Sequence, residues 1–288
     1  MLMATAFFWG SNFVVGKYLV GLAGPFTIAV LRFGLAAICL SVLLVIKEGW
    51  PRKLTLQKVT LLCILGLVGS FLANGLVFPA LKYSTAINGS LIMALMPATT
   101  SFIAFIVLKE QLKLINVLSL AISFLGAVLV LLSGQSLQNF FLNIGDLLFI
   151  LAMLCGAINY VLVKVALKYF SILFITASSL FFGSIIMLPF ALREISLGQT
   201  LQLSFYSWLL ILYMAIFTTS VGFYFWNSGI KEVGPARASI FFNLVPVFTL
   251  ILSAIFLTEK ITFLHLFGLT LIIGGIACNQ YFIAKPIN

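Results

Sequence analysis

The chain alternates between long apolar runs and short polar breaks along almost its whole length. Each run is about 20 residues long, the length that an α-helix needs to cross a hydrocarbon core of about 30 Å. The pattern predicts ten transmembrane helices and therefore an all-α membrane protein. In chain order the predicted spans are 2–19, 26–46, 59–80, 84–108, 112–132, 145–165, 172–192, 207–229, 235–257 and 263–283.

The second half of the chain repeats the first at an offset of 149 residues. The matched pairs are Lys82 with Lys231, Ser90 with Ser239, Pro97 with Pro246, Glu110 with Glu259 and Gly126 with Gly275. In spans 1 and 6 the offset slips to 147, which aligns Asn12 with Asn159. The polar stretch 133–143 joins two units, 1–134 and 145–288, with five predicted spans each. Because a unit with an odd number of spans is inverted relative to its copy, we predict two inverted five-helix repeats, an arrangement found in many secondary transporters.

Composition and charge also indicate a membrane protein. The chain is 63% hydrophobic and 8% charged, whereas soluble domains carry roughly 25% charged residues. Its net charge of +10 comes from basic residues at the ends of apolar runs, which indicates contact with membrane lipids rather than nucleic acid. Of 16 Lys and Arg residues, 11 fall in loops on one side, so the positive-inside rule places both termini in the cytoplasm. Glu110 and Glu259 adjoin Lys109 and Lys260, and we expect interfacial ion pairs there.

Asparagine side chains recur inside the predicted spans. A polar group in hydrocarbon is costly unless it faces a partner helix or a wet cavity. A single asparagine is more readily a clamp between two helices than a ligand for a solute. An amide both donates and accepts hydrogen bonds, however, which suits a zwitterionic or hydroxylated solute. We predict that the set lines a substrate site: Asn12, Asn74, Asn88, Asn159 and Asn243.

Three aromatic residues and one arginine extend this predicted site. Trp9, Tyr160 and Tyr224 lie mid-span, although Trp and Tyr usually prefer the membrane interfaces. Aromatic walls with few polar anchors suit a small amphipathic organic substrate. Arg237 opens the ninth span, where it either binds an anionic group of the substrate at the inner mouth or anchors the helix near lipid phosphates.

Three further residues interrupt the apolar pattern of their spans. Pro97 and Pro246 lie mid-span at matched positions, and a proline there removes a backbone hydrogen bond and kinks the helix. We predict that both act as hinges for alternating access; the alternative is a static kink. Arg32 lies about one and a half turns into the second span, and we expect its side chain to snorkel toward the outer face.

The sequence carries no motif for catalysis, cofactors or metals. It has no GxxxxGK[ST] loop for binding a nucleotide phosphate. His265 is the single histidine, and the four cysteines lie in apolar spans without metal-ligand spacing. We therefore predict a protein that is not an enzyme and that uses neither a cofactor nor a metal.

Short motifs in both halves resemble the EamA family of the drug/metabolite transporter superfamily. They are Trp9-Gly10-Ser11-Asn12-Phe13, Arg32-Phe33, Pro97 and Lys109-Glu110-Gln111, then Gly234-Pro235-Ala236-Arg237-Ala238, Pro246 and Thr258-Glu259-Lys260. The resemblance implies a carrier of the bacterial inner membrane, often an exporter of amino acids or related metabolites. It also implies a cavity lined mainly by spans 1, 3, 4, 6, 8 and 9, with spans 2, 5, 7 and 10 more peripheral.

Three functions remain as hypotheses. The first is a secondary carrier that moves a small organic metabolite by alternating access. Its substrates would be amino acids or their derivatives, and the direction would be export. This function fits the inverted repeat, the mid-span amides and the paired prolines. A lipid or lipid-linked flippase of the same superfamily is the alternative. A membrane-embedded enzyme would need a cluster of His, Asp or Cys, which the sequence lacks. We expect a small-molecule substrate and membrane lipids as partners, and a monomer or homodimer.

Overall fold

The computed structural model consists of helices joined by short connections. It describes residues 1–49, 54–108, 143–198, 203–235 and 240–284, together with 118, 121, 122, 125, 126, 129 and 238. Most of the predicted fifth span, most of the linker 133–143, Glu110 and Arg237 lie outside these residues. All regular secondary structure within the described part of the chain is helical, which confirms the predicted all-α class.

The described helices correspond to nine of the ten predicted spans. They are α1 (Leu2–Leu19), α2 (Pro25–Glu48), α3 (Leu56–Tyr83), α4 in two segments (Ala86–Met93 and Met96–Leu108), α5 (Ile144–Ala166), α6 (Ile172–Ser196), α7 (Phe205–Val233), α8 (Leu244–Phe256) and α9 (Phe263–Ala284). Six of them, α2 to α7, are long and apolar enough to cross a membrane. The count of ten spans and the inverted repeat remain predictions.

Two carboxylates from distant parts of the chain cap helix starts. The first N–H groups of a helix have no partner within it, and they favour a negative charge nearby. Glu259 accepts hydrogen bonds from the N–H groups of Ala86 and Ile87 at the start of α4, at 2.9 and 3.1 Å. Glu194 accepts from the N–H groups of Phe26 and Thr27 at the start of α2, at 3.0 and 2.8 Å. Glu259 therefore caps a helix of the other half, rather than pairing with Lys260 as expected.

A π-helical segment interrupts both α3 and α7. The segments are Gly66–Gly75 in α3 and Met214–Val221 in α7, and they overlap when the halves are aligned at the 149-residue offset. A π segment shifts backbone hydrogen bonding from i−4 to i−5, and such segments are frequent at functional sites. The helix ladder is therefore altered at related places in both halves, next to the cavity described below.

The helices of the two halves pack against each other rather than forming separate bundles. α2 packs along α6, α1 packs on α8, and α5 packs on α4. The last two pairs are related by the repeat. The crossing of α3 and α6 is close, because a Cβ atom added to Gly183 would lie 3.2 Å from the carbonyl oxygen of Gly66. Small residues permit such a backbone approach in membrane proteins.

Both mid-span prolines follow a break in their helix. In α4 the α-helix stops after Met93, and Pro97 is the second residue of the segment that resumes at Met96. Pro246 is the third residue of α8, which follows a 3₁₀ turn at Ile240–Asn243. Proline is tolerated in the first turn of a helix, where its missing N–H costs nothing. The two breaks are therefore matched across the halves, and their role as hinges remains a prediction.

Candidate functional site

A small buried cavity lies beside the π segment of α3, and two of its lining residues, Trp9 and Arg32, form hydrogen bonds with the π segment of α7. Its volume is about 40 Å³, and since one water needs roughly 10–15 Å³ of space open to its centre, it has room for only a few waters. Both halves of the chain supply its walls. The lining residues are Trp9, Asn12, Phe13, Arg32, Ala73, Asn74, Val77, Met93, Met96, Gly156, Asn159, Tyr160, Phe223 and Phe242.

Arg32 of α2 places a buried positive charge in the wall of this cavity. Its side chain is 2% exposed, so the prediction that it snorkels to the outer face is wrong. Nε donates to Thr219 Oγ1 at 2.5 Å, and Nη1 donates to Asn12 Oδ1. The guanidinium carbon also lies 4.7 Å from the ring centre of Phe33 and 5.5 Å from that of Phe78. The guanidinium is thus held by two neutral acceptors and two aromatic rings. A buried arginine more often pairs with a carboxylate.

The described carboxylates are engaged elsewhere. Glu48 accepts from Ser171, Asp146 accepts from Ser84, and Glu194 and Glu259 cap helix starts. Glu232 is exposed near the end of α7. A guanidinium has five N–H donors, and within the described residues only the two bonds above engage them. The Arg32 charge consequently has no anionic partner within the described part of the chain.

The π segments turn two backbone carbonyl groups toward cavity residues. In α7 the carbonyl of Thr218 accepts from Trp9 Nε1 at 3.1 Å. In α3 the carbonyl of Gly69 accepts from Asn74 Nδ2 at 2.6 Å. Gly69 and Thr218 are 149 residues apart, so the same position of each half provides the accepting carbonyl. The Thr219 hydroxyl, which holds Arg32, donates to the carbonyl of Met214 five residues earlier at 2.8 Å.

Asn159 of α5 brings an unsatisfied acceptor to the cavity. Its side chain is 9% exposed, and its Oδ1 is buried without a hydrogen-bond partner in the described structure. The amide lies against Gly69, where even a Cβ atom would collide with it. A buried acceptor without a partner costs about 1–3 kcal/mol, so such atoms are rare in native proteins and call for an explanation.

Aromatic rings close the cavity on a further side. The ring of Trp9 lies 5.4 Å from Phe223 and 5.6 Å from Phe242, measured between centroids. Behind it Trp226, which is 1% exposed, lies 4.8 Å from Trp9 and 5.2 Å from Tyr160. Tilted ring pairs at these separations are favourable and stiff. This part of the cavity wall is therefore apolar and well packed.

The structure gathers five of the predicted binding residues around one cavity: Trp9, Asn12, Asn74, Asn159 and Tyr160. Tyr224 does not line it; this residue is 39% exposed and lines a separate space of about 640 Å³ beside α2 and α6. Asn88 also lies elsewhere, with its Oδ1 3.1 Å from His265 Nε2. The side chain of Asn243, like Arg237, falls outside the described residues. Whether any of these residues binds substrate remains a prediction.

Arg32 is the cavity residue that sequence reasoning missed. The resemblance placed the second span among the more peripheral helices, and its position near the span's start suggested snorkelling. One signal was available, because α1 and α2 are joined by a short turn, and Asn12 and Arg32 lie at similar distances from that turn on its two sides. Twenty residues separate the two, and the chain reverses between them.

A polar network ties helix ends together on the side where α1 finishes. Lys17 Nζ donates to the carbonyl groups of Leu81 and Ser84 at 2.6 and 2.5 Å. Ser84 Oγ in turn donates to Asp146 Oδ1 at 2.5 Å. The network links α1, the end of α3 and the start of α5. In the predicted orientation this side is the outer face.

Comparison with known proteins places the chain in a family. Residues 1–132 and 143–280 each match the EamA-like transporter family. The uncharacterized transporter YyaM of Bacillus subtilis (strain 168) is 33% identical over 99% of this chain and 94% of that protein. An uncharacterized transporter of Archaeoglobus fulgidus is 30% identical over 96% of each chain. A crystal structure with 18% identity matches with a TM-score of 0.69 over 98% of this chain and 96% of the other, which shows the same fold. The resemblance seen in the motifs is confirmed: the chain is a multi-pass membrane protein of the EamA-like transporter family.

Proposed function

We propose that this protein is a secondary carrier that moves a small organic metabolite by alternating access. The observation that carries the proposal is the enclosed cavity, whose walls come from both halves of the chain. Secondary carriers bind their substrates near the bilayer midplane between two repeats, often beside broken helices. In this chain the π segments and the helix breaks before Pro97 and Pro246 lie next to the cavity.

The lining of the cavity supports a small, amphipathic solute. Binding sites for such molecules are mostly apolar and contain a few placed polar groups. Here amide groups and one cation face aromatic rings and the two methionines Met93 and Met96. We propose amino acids or their derivatives as the substrates, with net export across the bacterial inner membrane and both termini in the cytoplasm.

The enclosed volume supports alternating access. A cavity of about 40 Å³ is smaller than the pockets of roughly 300–1,000 Å³ that hold drug-sized ligands. The cavity must therefore widen when a metabolite binds. We propose that the matched breaks of α4 and α8 permit this movement.

Transport in proteoliposomes tests the proposal. Purified protein is reconstituted, and uptake is followed for labelled amino acids, amines, nucleosides and sugars. We expect saturable uptake of at least one solute, and a reduced rate in the Asn12→Ala variant. Gln57→Ala is the matched control, because Gln57 carries an amide at an exposed position of α3 outside the cavity. Vesicles that translocate a labelled phospholipid but none of these solutes would contradict the carrier and support the flippase.

A further inference from the structure

The two halves differ at the most polar point of the cavity. Asn12 and Asn159 are matched across the repeat, and both are buried. Asn12 Oδ1 accepts a hydrogen bond from Arg32. Asn159 Oδ1 has no partner. The residue that corresponds to Arg32 in the second half is Phe181, whose side chain is 51% exposed and points away from the core. One half therefore supplies its asparagine with a donor, and the other half does not.

Arg32 and Asn159 have complementary hydrogen-bonding groups without partners. Arg32 is a buried cation with spare N–H donors and no carboxylate partner within the described residues. Asn159 offers a buried acceptor without a donor. Both line the same cavity. Isolated buried charges and unpaired buried acceptors are costly. A ligand that brings an anion to Arg32 and a hydrogen-bond donor to Asn159 therefore gains binding energy from both contacts.

We propose that Arg32 binds a carboxylate of the transported molecule and that Asn159 Oδ1 accepts a hydrogen bond from an N–H or O–H donor beside that carboxylate. The substrates of the carrier are then small carboxylates that carry an amino or hydroxyl group. Solutes that lack a carboxylate, such as sugars, amines and most lipids, are poor substrates. This inference rests on the proposed carrier function and sharpens it, because it assigns the two polar ends of the substrate to two residues.

The geometry around Arg32 suits an anion more than a purely structural role. Guanidinium groups bind carboxylates through two parallel hydrogen bonds, which makes them the usual choice for carboxylate recognition. Thr219 and Asn12 engage Nε and Nη1, and these contacts orient the planar group. A structural arginine at this depth would be expected to have its remaining donors satisfied by protein groups.

The experiment measures binding to the purified full-length protein by tryptophan fluorescence, since Trp9 lines the cavity and Trp226 packs on it. The probes are the twenty proteinogenic amino acids, each compared with its α-carboxamide and with the deaminated carboxylic acid. At least one amino acid should bind, and its carboxamide should bind more weakly by about tenfold or more, the effect of losing charge-assisted hydrogen bonds. Equal affinity for an acid and its carboxamide, or no binding by any of these acids, overturns the inference.

Variants assign the two ends of the ligand. Arg32→Gln should weaken carboxylate binding about tenfold to a hundredfold, while Arg32→Lys, which keeps the charge but not the planar fork, should lie between. Arg193→Gln, at an exposed position in α6, is the matched control. Asn159→Ala should weaken binding of the amino acid but not of its deaminated analogue, a coupling that general damage to the site would not produce.

Three results separate this inference from its alternatives. If Arg32→Gln lowers the melting temperature of the ligand-free protein and weakens acids and carboxamides equally, Arg32 is structural and the inference is wrong. If proteoliposomes transport a nucleoside, sugar or amine while no carboxylate binds, the inference fails and the carrier function stands. If no solute is transported at all, the proposed function itself fails.

Discussion

The substitution Gly69→Ala tests whether the position of the Asn159 amide determines substrate affinity. Gly69 lies in the π segment of α3, and a methyl group there would lie 2.6 Å from Asn159 Cγ and 2.9 Å from Nδ2. Carbon atoms pack at about 3.5–4.0 Å, so the amide must retreat by about 1 Å. The three atoms nearest to the added methyl group all belong to the Asn159 side chain. The strain is therefore relieved by moving this side chain rather than by shifting a helix.

The expected cost falls on binding more than on stability. Losing one hydrogen bond between Asn159 and the substrate costs about 0.5–1.5 kcal/mol, which weakens affinity roughly threefold to tenfold. Alanine is favoured over glycine inside a helix by about 0.8–1.0 kcal/mol, and this gain offsets part of the local strain. The melting temperature of the ligand-free protein should therefore stay within about 4 °C of the wild type, the shift that roughly 1 kcal/mol produces at this size.

Gly34→Ala is the matched control. Gly34 lies in the middle of α2, and an added methyl group would meet no atom within 4 Å. It should leave affinity unchanged and raise the melting temperature slightly. Affinity is measured by tryptophan fluorescence, and stability by thermal unfolding in the same detergent. Wild-type affinity in Gly69→Ala, with Gly34→Ala also normal, would refute a role for the Asn159 amide.

Three further changes test the surrounding machinery. Trp9→Phe removes the hydrogen bond to the Thr218 carbonyl in the π segment of α7, so it should cost about 1 kcal/mol of stability in thermal unfolding, unlike Trp208→Phe on the exposed face of α7. Glu259→Gln removes the negative charge at the start of α4, and should lower the melting temperature by the equivalent of about 0.3–1 kcal/mol, less at high salt. Replacing Pro97 and Pro246 together by alanine should slow transport while leaving substrate affinity in place; an unchanged transport rate would exclude the hinge.

The sequence predicts the helices well because their cause is local. A run of about 20 apolar residues is sufficient to specify a spanning helix, and the described helices fall where the runs lie. The same reasoning found Asn12 and Asn159, since an amide inside hydrocarbon needs a reason to be there. Trp9 was found because it lies three residues before Asn12 and so shares its face of the helix.

The sequence does not predict what depends on the rotation and packing of helices. Arg32 near a helix start is equally compatible with snorkelling and with burial, and the choice is made by the neighbours that α2 contacts in the folded chain. The π segments are also not predicted, because the apolar pattern of a span does not distinguish i−4 from i−5 bonding. Tyr224 lines a different space from its neighbour Phe223 for a related reason, since adjacent residues of a helix face different directions.

The unpaired charge of Arg32 has a consequence for the transport cycle. In the enclosed state the cation is cut off from bulk water and lacks an anionic partner among the described residues. Removing an unpaired ion from water costs several kcal/mol, and a bound carboxylate would offset that cost. An empty carrier should therefore pass through the enclosed state more slowly than a loaded one.

This difference predicts that exchange is faster than net transport. Proteoliposomes preloaded with a carboxylate substrate should take up labelled substrate more rapidly than empty ones, because the loaded carrier returns with its charge paired. Arg32→Gln should make the exchange and net transport rates equal, because its empty site contains no unpaired charge. This should hold even though the variant binds the carboxylate more weakly. Equal exchange and net transport rates in the wild-type protein would contradict this reasoning. They would show that the buried charge does not slow the return of the empty carrier, and that groups other than the substrate offset its cost.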